Sequence, residues 1–449
     1  MGCGLLGKFR RCATLTLAVV LLNGLALGAI HCVRAGASGS GSGADWTNAY
    51  TALPQTLVRG DTYFIGAGNY PKYIFGTADS GSLLITVKAA TPTDHGTDTG
   101  WSNSFAGTAV FSAITQITTD NWVIDGNGRT STTSGYGFEI DNNTIPQMWG
   151  LAMSNVSNIT LRYIEIFGAG ISNPNADEDL RALSSTNLTW QFLYIHDASQ
   201  SQILTGQCNN VLLERSLLAR NQSTPAFHGA AWQDQGSSNI TIRNNIWADI
   251  EGTAYIDLLN RGGSAQIANN WQIYGNVFMY SQGNPFNRTG PDNGVIACIN
   301  SEICTNWQVY NNSFINIPAL SARVYFAGAG AGSSVIAENN LWFQNADATN
   351  SCASGVSCTY DYNYYINTSH AAETHQQTTP TTNPFVNWPN LDFHLVADTN
   401  AGFTLSAPLN IDPDGVTRGA SGVWSRGAYQ FTGTVTMPNP PTNLTVVVH

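Results

Sequence analysis

Lysine is almost absent from this chain: Lys8, Lys72 and Lys88 are the only three in 449 residues. Lysine and arginine together number 18 against 29 aspartates and glutamates, giving a formal net charge of −11, and charged residues of both signs make up only 10% of the chain. That balance argues against nucleic acid or an anionic membrane surface as partner, because both are met by a basic face. A polyanionic ligand would be repelled overall unless local arginines or bound cations compensate. So little charge is also found in disordered chains, but those are poor in aromatics. Here there are 12 Trp, 17 Tyr and 18 Phe, together with 44 Gly, which is the composition of a turn-dense, β-rich fold.

What the chain does have is a phrase that returns. It reads Ser-Asn-Ile-Thr-Leu-Arg at Ser157–Arg162, Thr-Asn-Leu-Thr-Trp-Gln at Thr186–Gln191, Asn-Asn-Val-Leu-Leu-Glu at Asn209–Glu214 and Ser-Asn-Ile-Thr-Ile-Arg at Ser238–Arg243, with weaker copies at Asn269–Tyr274 and Thr305–Tyr310. The recurring Asn158, Asn187, Asn210, Asn239, Asn270 and Asn306 are separated by 29, 23, 29, 31 and 36 residues. A constant phrase at irregular intervals of this size marks a solenoid, one coil per repeat with insertions in the loops. Apolar residues alternate after each Asn, so the coils are β-type. Stacked coils lie about 4.8 Å apart, which lets the Asn side chains form a ladder at a turn, where Asn also tolerates left-handed backbone. The Asn-X-Ser/Thr triplets that begin at Asn158, Asn187 and Asn239 are therefore read as ladder positions rather than glycosylation sites.

These repeats resemble the right-handed parallel β-helix of the pectate-lyase-like superfamily. Gly60–Tyr70 (GDTYFIGAGNY) is similar to the first-coil phrase of such proteins. Asp392–Leu395, Asp412–Gly415 with Arg418, and Arg426–Tyr429 are similar to their closing segment. The resemblance implies an all-β, single-stranded right-handed solenoid with an N-terminal cap, over residues 45–431: cap and first coils at 45–115, repeat coils at 116–370, closing segment at 371–431. It implies an extracellular polysaccharide as partner, but not one activity, since the fold carries many.

Residues 1–35 read as an export signal: Lys8, Arg10 and Arg11 precede an apolar run from Ala13 to about Ile30, and Val33-Arg34-Ala35 offers a small-residue cleavage site. The run is short and interrupted for a membrane anchor. Gly36–Gly43 then reads as the core of a flexible linker spanning 36–44, Asp45–Leu57 as a short capping helix, and 432–449 as a Pro-rich tail. A secreted, monomeric protein is expected. In that setting Cys298 with Cys304, and Cys352 with Cys358, each flank a polar loop and are expected to form local disulfides. Cys208 is expected inside the coil.

The tenth residue after each repeated Asn gives the column Gly168, Asp197, Arg220, Asp249, Tyr280 and Asn316. Stacked, Asp-Arg-Asp forms either a salt-bridged ladder or, through Arg220, part of a binding groove. The lone His196 beside it reads as a turn residue. The strand that follows this turn is where the family holds a sugar chain. There the polar run from His228 to Gln235 breaks an apolar pattern after the longer segment Asn221–Phe227.

His228, Trp232 and Asp234 share one face of a regular strand, and Glu251, Tyr255 and Asp257 lie on the next coil. A hydrolase needs a protonated acid and a second carboxylate. Asp234, Asp257 and Glu251 are the candidates, with His228 tuning protonation and Trp232 and Tyr255 as platforms for sugar rings. A lyase needs a base beside a uronate carboxylate and a cation for the developing charge. Arg181, Arg220 or Arg323 would serve as base, and the acidic run Asp177-Glu178-Asp179 would hold calcium. A non-catalytic glycan-binding or adhesion solenoid is the alternative.

Overall fold

The computed structural model describes residues 28–175, 177–221, 229–258, 265–281, 292–318, 322–420 and 422–433. Three parallel sheets wind around one another: sheet A with 12 strands, from Ile30–Val33 to Ser357–Asp361; sheet B with 12, from Gly68–Tyr70 to Gln377–Thr379; and sheet C with 10, from Ile74–Phe75 to Ser351–Cys352. Each coil contributes one strand to A, then B, then C, so neighbours in every sheet are one coil apart in sequence. The parallel β-helix expected from the repeats is therefore present.

Inward-pointing residues of all three sheets fill the bore with stacked rings. Trp190, Trp232, Trp271 and Trp307 follow one another at 5.8, 5.8 and 4.6 Å, and Phe278, Phe314, Trp342 and Tyr365 at 5.2, 4.6 and 5.0 Å. Rings of this size each bury about 150–250 Å², so coil-to-coil stacking carries the core.

Two ladders fix the register. The outer one is the repeated Asn: Asn187 donates to Asn158 at 3.1 Å, Asn210 to Asn187 at 2.8 Å, Asn270 to Asn239 at 2.7 Å and Asn306 to Asn270 at 3.1 Å. Asn239 donates instead to Asn209, the one offset rung. All six repeated Asn have positive φ, between 54° and 60°. The inner ladder lies at the A-to-B corner and is fully buried: Asn245, Asn276, Asn312, Asn340 and Asn363. Asn312 Oδ1 accepts both the backbone N–H and the Nδ2 of Asn276 at 3.0 Å, while its own Nδ2 donates to Asn340 Oδ1 at 3.0 Å and to the Ile273 carbonyl at 2.9 Å. Glu373 closes the last rung, accepting from Asn363 Nδ2 at 2.9 Å.

The chain ends depart from expectation. Ile30–Val33 is the first strand of sheet A, paired in register with Thr62–Ile65, and Cys32 and Val33 are fully buried. A boundary at Ala35 would delete this strand. Residues 36–44 are not a free linker either, since the Cys32 N–H donates to the Gly43 carbonyl at 2.8 Å. Asp45–Leu57 caps the open end as turns rather than as a helix. Trp46, Ala49, Leu53 and Leu57 are buried beneath it, but Pro54 and the lack of helical repetition leave it irregular.

At the other end the closing segment folds back over the outer face of sheet B. Phe385, Trp388, Phe393, Leu395 and Ala428 cover Leu341, Phe343, Tyr364 and Ile366. Both expected disulfides form, and Cys208 is buried as a free thiol. Among the described residues no helix is long and apolar enough to cross a membrane.

Two stability predictions follow from the ladders and the first strand. Asn312→Ala orphans buried groups at about 1–3 kcal/mol each and is expected to lower the urea midpoint far more than Asn239→Gly, which keeps a residue suited to positive φ. A chain beginning at Gly36 is expected to melt well below one beginning at Gly28, because burial of Val33 alone contributes about 1.5–3 kcal/mol. Equal midpoints in either comparison would contradict the assignment.

Candidate functional site

Alternation along sheet C decides which sequence candidates reach the surface. Leu180, Ile203, Trp232, Ile256 and Ile296 are register partners and lie in the core. The residues after them point outward: Arg181, Leu204, Gln233, Asp257 and Ala297 are equally in register.

Trp232 and Asp234 do share one face, but it is the inner one. Trp232 lies between Trp190 and Trp271 and donates from its indole to Thr205 Oγ1 at 2.7 Å. Asp234 is fully buried and accepts from Thr205 Oγ1 at 2.6 Å and from the Ser237 N–H at 2.8 Å. Burial pushes its carboxyl pKa up against these bonds. It organises the C-to-A turn and does not meet substrate.

Tyr255 is likewise interior, its hydroxyl donating to the Met279 carbonyl at 2.8 Å. Trp232 and Tyr255 are therefore not sugar platforms. Glu251 is buried at the B-to-C corner, where it accepts from the Tyr280 hydroxyl at 3.0 Å. His228 lies outside the described residues.

Asp257 is outward, beside Gln233 on one side and Ala297 on the other, and is itself fully enclosed. Arg181 lies further along the same column, 3.3 Å from Glu178 and over the Trp149 ring at 5.4 Å. Arg323 lies over Tyr325 at 4.6 Å and donates to the Asn293 carbonyl at 3.3 Å. Arg220 is not on this face. Its guanidinium donates to Asp197 at 2.6 Å and to the Tyr194 hydroxyl at 2.9 Å, which makes it a rung of the Asp-Arg ladder.

The acidic run does not converge as a calcium site. Asp177 is already saturated by donors, from Ser199 Oγ at 2.6 Å, Asn173 Nδ2 at 3.0 Å and Asn142 Nδ2 at 3.2 Å. Glu178 turns outward to Arg181, whereas Asp179 turns inward and is fully buried. Burial, then the Asp177 charge, push the Asp179 carboxyl well above its usual value. Donor groups around Asp177 and opposed directions for its neighbours do not fit a cation that needs six or more oxygens.

Sequence reasoning missed a polar cluster on the outer face of sheet B, where Glu139, Glu165 and Tyr194 are register partners. Glu139 stands 18 residues after Asn121, the same ladder position from which Glu165 and Tyr194 stand 7 residues after Asn158 and Asn187, so an insertion hid the alignment.

The burial pattern generates a prediction: Asp234→Asn is expected to lower thermal stability, because charged hydrogen bonds contribute about 1.5–3 kcal/mol. Any activity that survives folding should be retained, and a stable but inactive variant would return Asp234 to the reaction.

No family model matches the chain, and no curated protein matches it. Among solved structures it is similar to pectate lyase Pel9A, with 14% identity over 91% of this chain and 98% of that one and a TM-score of 0.52. A rhamnogalacturonan lyase matches with 13% identity over 80% and 91% and a TM-score of 0.47. A GH136 lacto-N-biosidase from Eubacterium ramulus matches with 9% identity over 78% and 68% and a TM-score of 0.39. Taken with the three parallel sheets, the first of these likenesses shows the fold: the chain is a right-handed parallel β-helix.

Proposed function

We propose that this protein is an exported, polysaccharide-active β-helix that cleaves glycosidic bonds. The observation that carries the reading is the outward column of sheet C, where Arg181, Leu204, Gln233 and Asp257 are in register, Arg181 partly exposed and the other three covered. The segments that lead into this sheet vary from two residues, 113–114, to ten at 220–229 and fourteen at 280–293. Long loops along one edge of a solenoid wall its binding face, and a sugar chain laid across the strands would meet a new side chain about every 4.8 Å. Arg181 on Trp149 and Arg323 on Tyr325 supply cations against the overall negative charge. Asp257 is the carboxylate of the column, and Glu251 stands behind it at the corner.

Export accords with the basic and apolar start of the chain and with the two disulfides. Because Ile30–Val33 belongs to the fold, cleavage would fall no later than Ala29, where Ala26-Leu27-Gly28 places small residues at the required spacing.

The test is turnover of purified mature protein on neutral and uronate-containing polysaccharides, with calcium and with chelator, following new reducing ends and ultraviolet-absorbing unsaturated products. Cleavage is expected, and Asp257→Asn is expected to lower it by about 100-fold or more without loss of folding. Sugar binding without any product would favour a glycan-binding scaffold instead.

A further inference from the structure

The outer face of sheet B changes character along the solenoid. From Leu217 to Ile366 it is apolar and buried with the closing segment. On the earlier coils it is polar, and its groups are organised around one histidine. His196 Nδ1 lies 2.6 Å from Asp197 Oδ2, and its Nε2 lies 3.1 Å from Glu165 Oε1. The ring is clamped over Tyr194 at 4.0 Å and beside Phe167 at 5.6 Å.

Arg220 Nη2 approaches both Asp197 Oδ2, at 2.6 Å, and His196 Nδ1, at 2.8 Å. Arginine only donates, so Nη2 gives its hydrogens toward Asp197 and the imidazole. Both ring nitrogens of His196 are thereby engaged, Nδ1 by Asp197 and Arg220 and Nε2 by Glu165. Burial would raise the Asp197 carboxyl, but the bonds from His196 and Arg220 hold it at about 2.

Glu139, the register partner of Glu165, is only partly buried. Burial, with the charges of Glu165 and Asp141, pushes its carboxyl up to about 7 against the opposing effect of His196. Tyr136 and Arg129, bonded to each other at 3.0 Å, border the cluster.

From this geometry we infer that Glu139, Glu165 and His196 form a second acid–base centre, one that hydrolyses a glycosidic bond. The inference rests on the polysaccharide reading above and adds a site on a different sheet. Glu139 in its protonated form gives its proton to the leaving glycosidic oxygen as the bond from that oxygen to the anomeric carbon breaks. Water attacks the anomeric carbon, and Glu165 takes its proton, while His196, held between Asp197 and Glu165, positions the Glu165 carboxylate. The products are a new reducing end and a free hydroxyl, and no oxidant or metal enters the balance. A pair of carboxyls is the requirement of this chemistry.

The experiment uses the mature full chain and the same polysaccharide panel. Glu139→Gln and Glu165→Gln are each expected to lower release of reducing ends from at least one substrate by about 100-fold or more, with the melting temperature unchanged. Glu338→Gln, on sheet A, serves as the control. The wild-type rate should fall as pH rises through about 7, where Glu139 loses its proton, and His196→Asn should shift the pH profile as well as the rate. If the wild type yields products and both glutamine variants release them at the wild-type rate from every substrate, the inference is overturned while the polysaccharide reading stands. Unsaturated products alone, indifferent to both variants, overturn it equally. If the wild type cleaves nothing, the broader reading fails and this one with it.

Discussion

Everything in this molecule depends on one coil lying in register on the next. Parallel strands supply evenly spaced backbone bonds, but a slip of one residue would turn each strand inside out. The buried asparagine column prevents the slip. The Asn312 oxygen takes two hydrogen bonds from Asn276 on the preceding coil, and its nitrogen gives one to Asn340 on the next coil and one back to the Ile273 carbonyl, so a misplaced coil would strand several buried polar groups. The ring stacks supply the bulk of the favourable burial, and the amide column makes one alignment of them acceptable.

The same regularity explains what could be read from sequence. The outer asparagines announced themselves because solvent-facing Asn in left-handed backbone is chemically specific, and their spacing gave the fold outright. Disulfides between Cys298 and Cys304 and between Cys352 and Cys358 followed from short spans around polar loops. The first strand was lost because Ile30–Val33 continues, without a break in composition, the apolar run that reads as an export signal. The inner asparagines, which have no left-handed backbone to mark them, were not read from the sequence.

The site was harder. Placing Trp232 and Asp234 on one face was sound, since residues two apart share a face, but nothing in a single sequence says whether that face looks in or out. At the B-to-C corner even the alternation fails: Glu178 turns outward to Arg181, though it is buried, while Asp179 and Leu180 both turn inward. A consecutive acidic run therefore spreads over opposite sides of the wall rather than closing on an ion. Arg181 and Arg323 are partly exposed, Asp257 points outward but is covered, and Glu139 escaped notice because an insertion displaced it from its column.

The closing segment alters how such a molecule must assemble. Trp424 donates to Asn311 at 2.9 Å across 113 residues, and the Ala428 N–H donates to Ser313 Oγ at 3.0 Å across 115. An ordinary solenoid is a one-dimensional array, in which each repeat is stabilised only by its neighbours and coils can be gained or lost at the ends. Here the closing segment reaches back several coils and ties them together. Loss of a terminal coil would also strip the apolar cover from the middle of sheet B. This converts a chain of local equilibria into a more nearly cooperative unit, at the expense of slow, sequence-distant contacts in its completion.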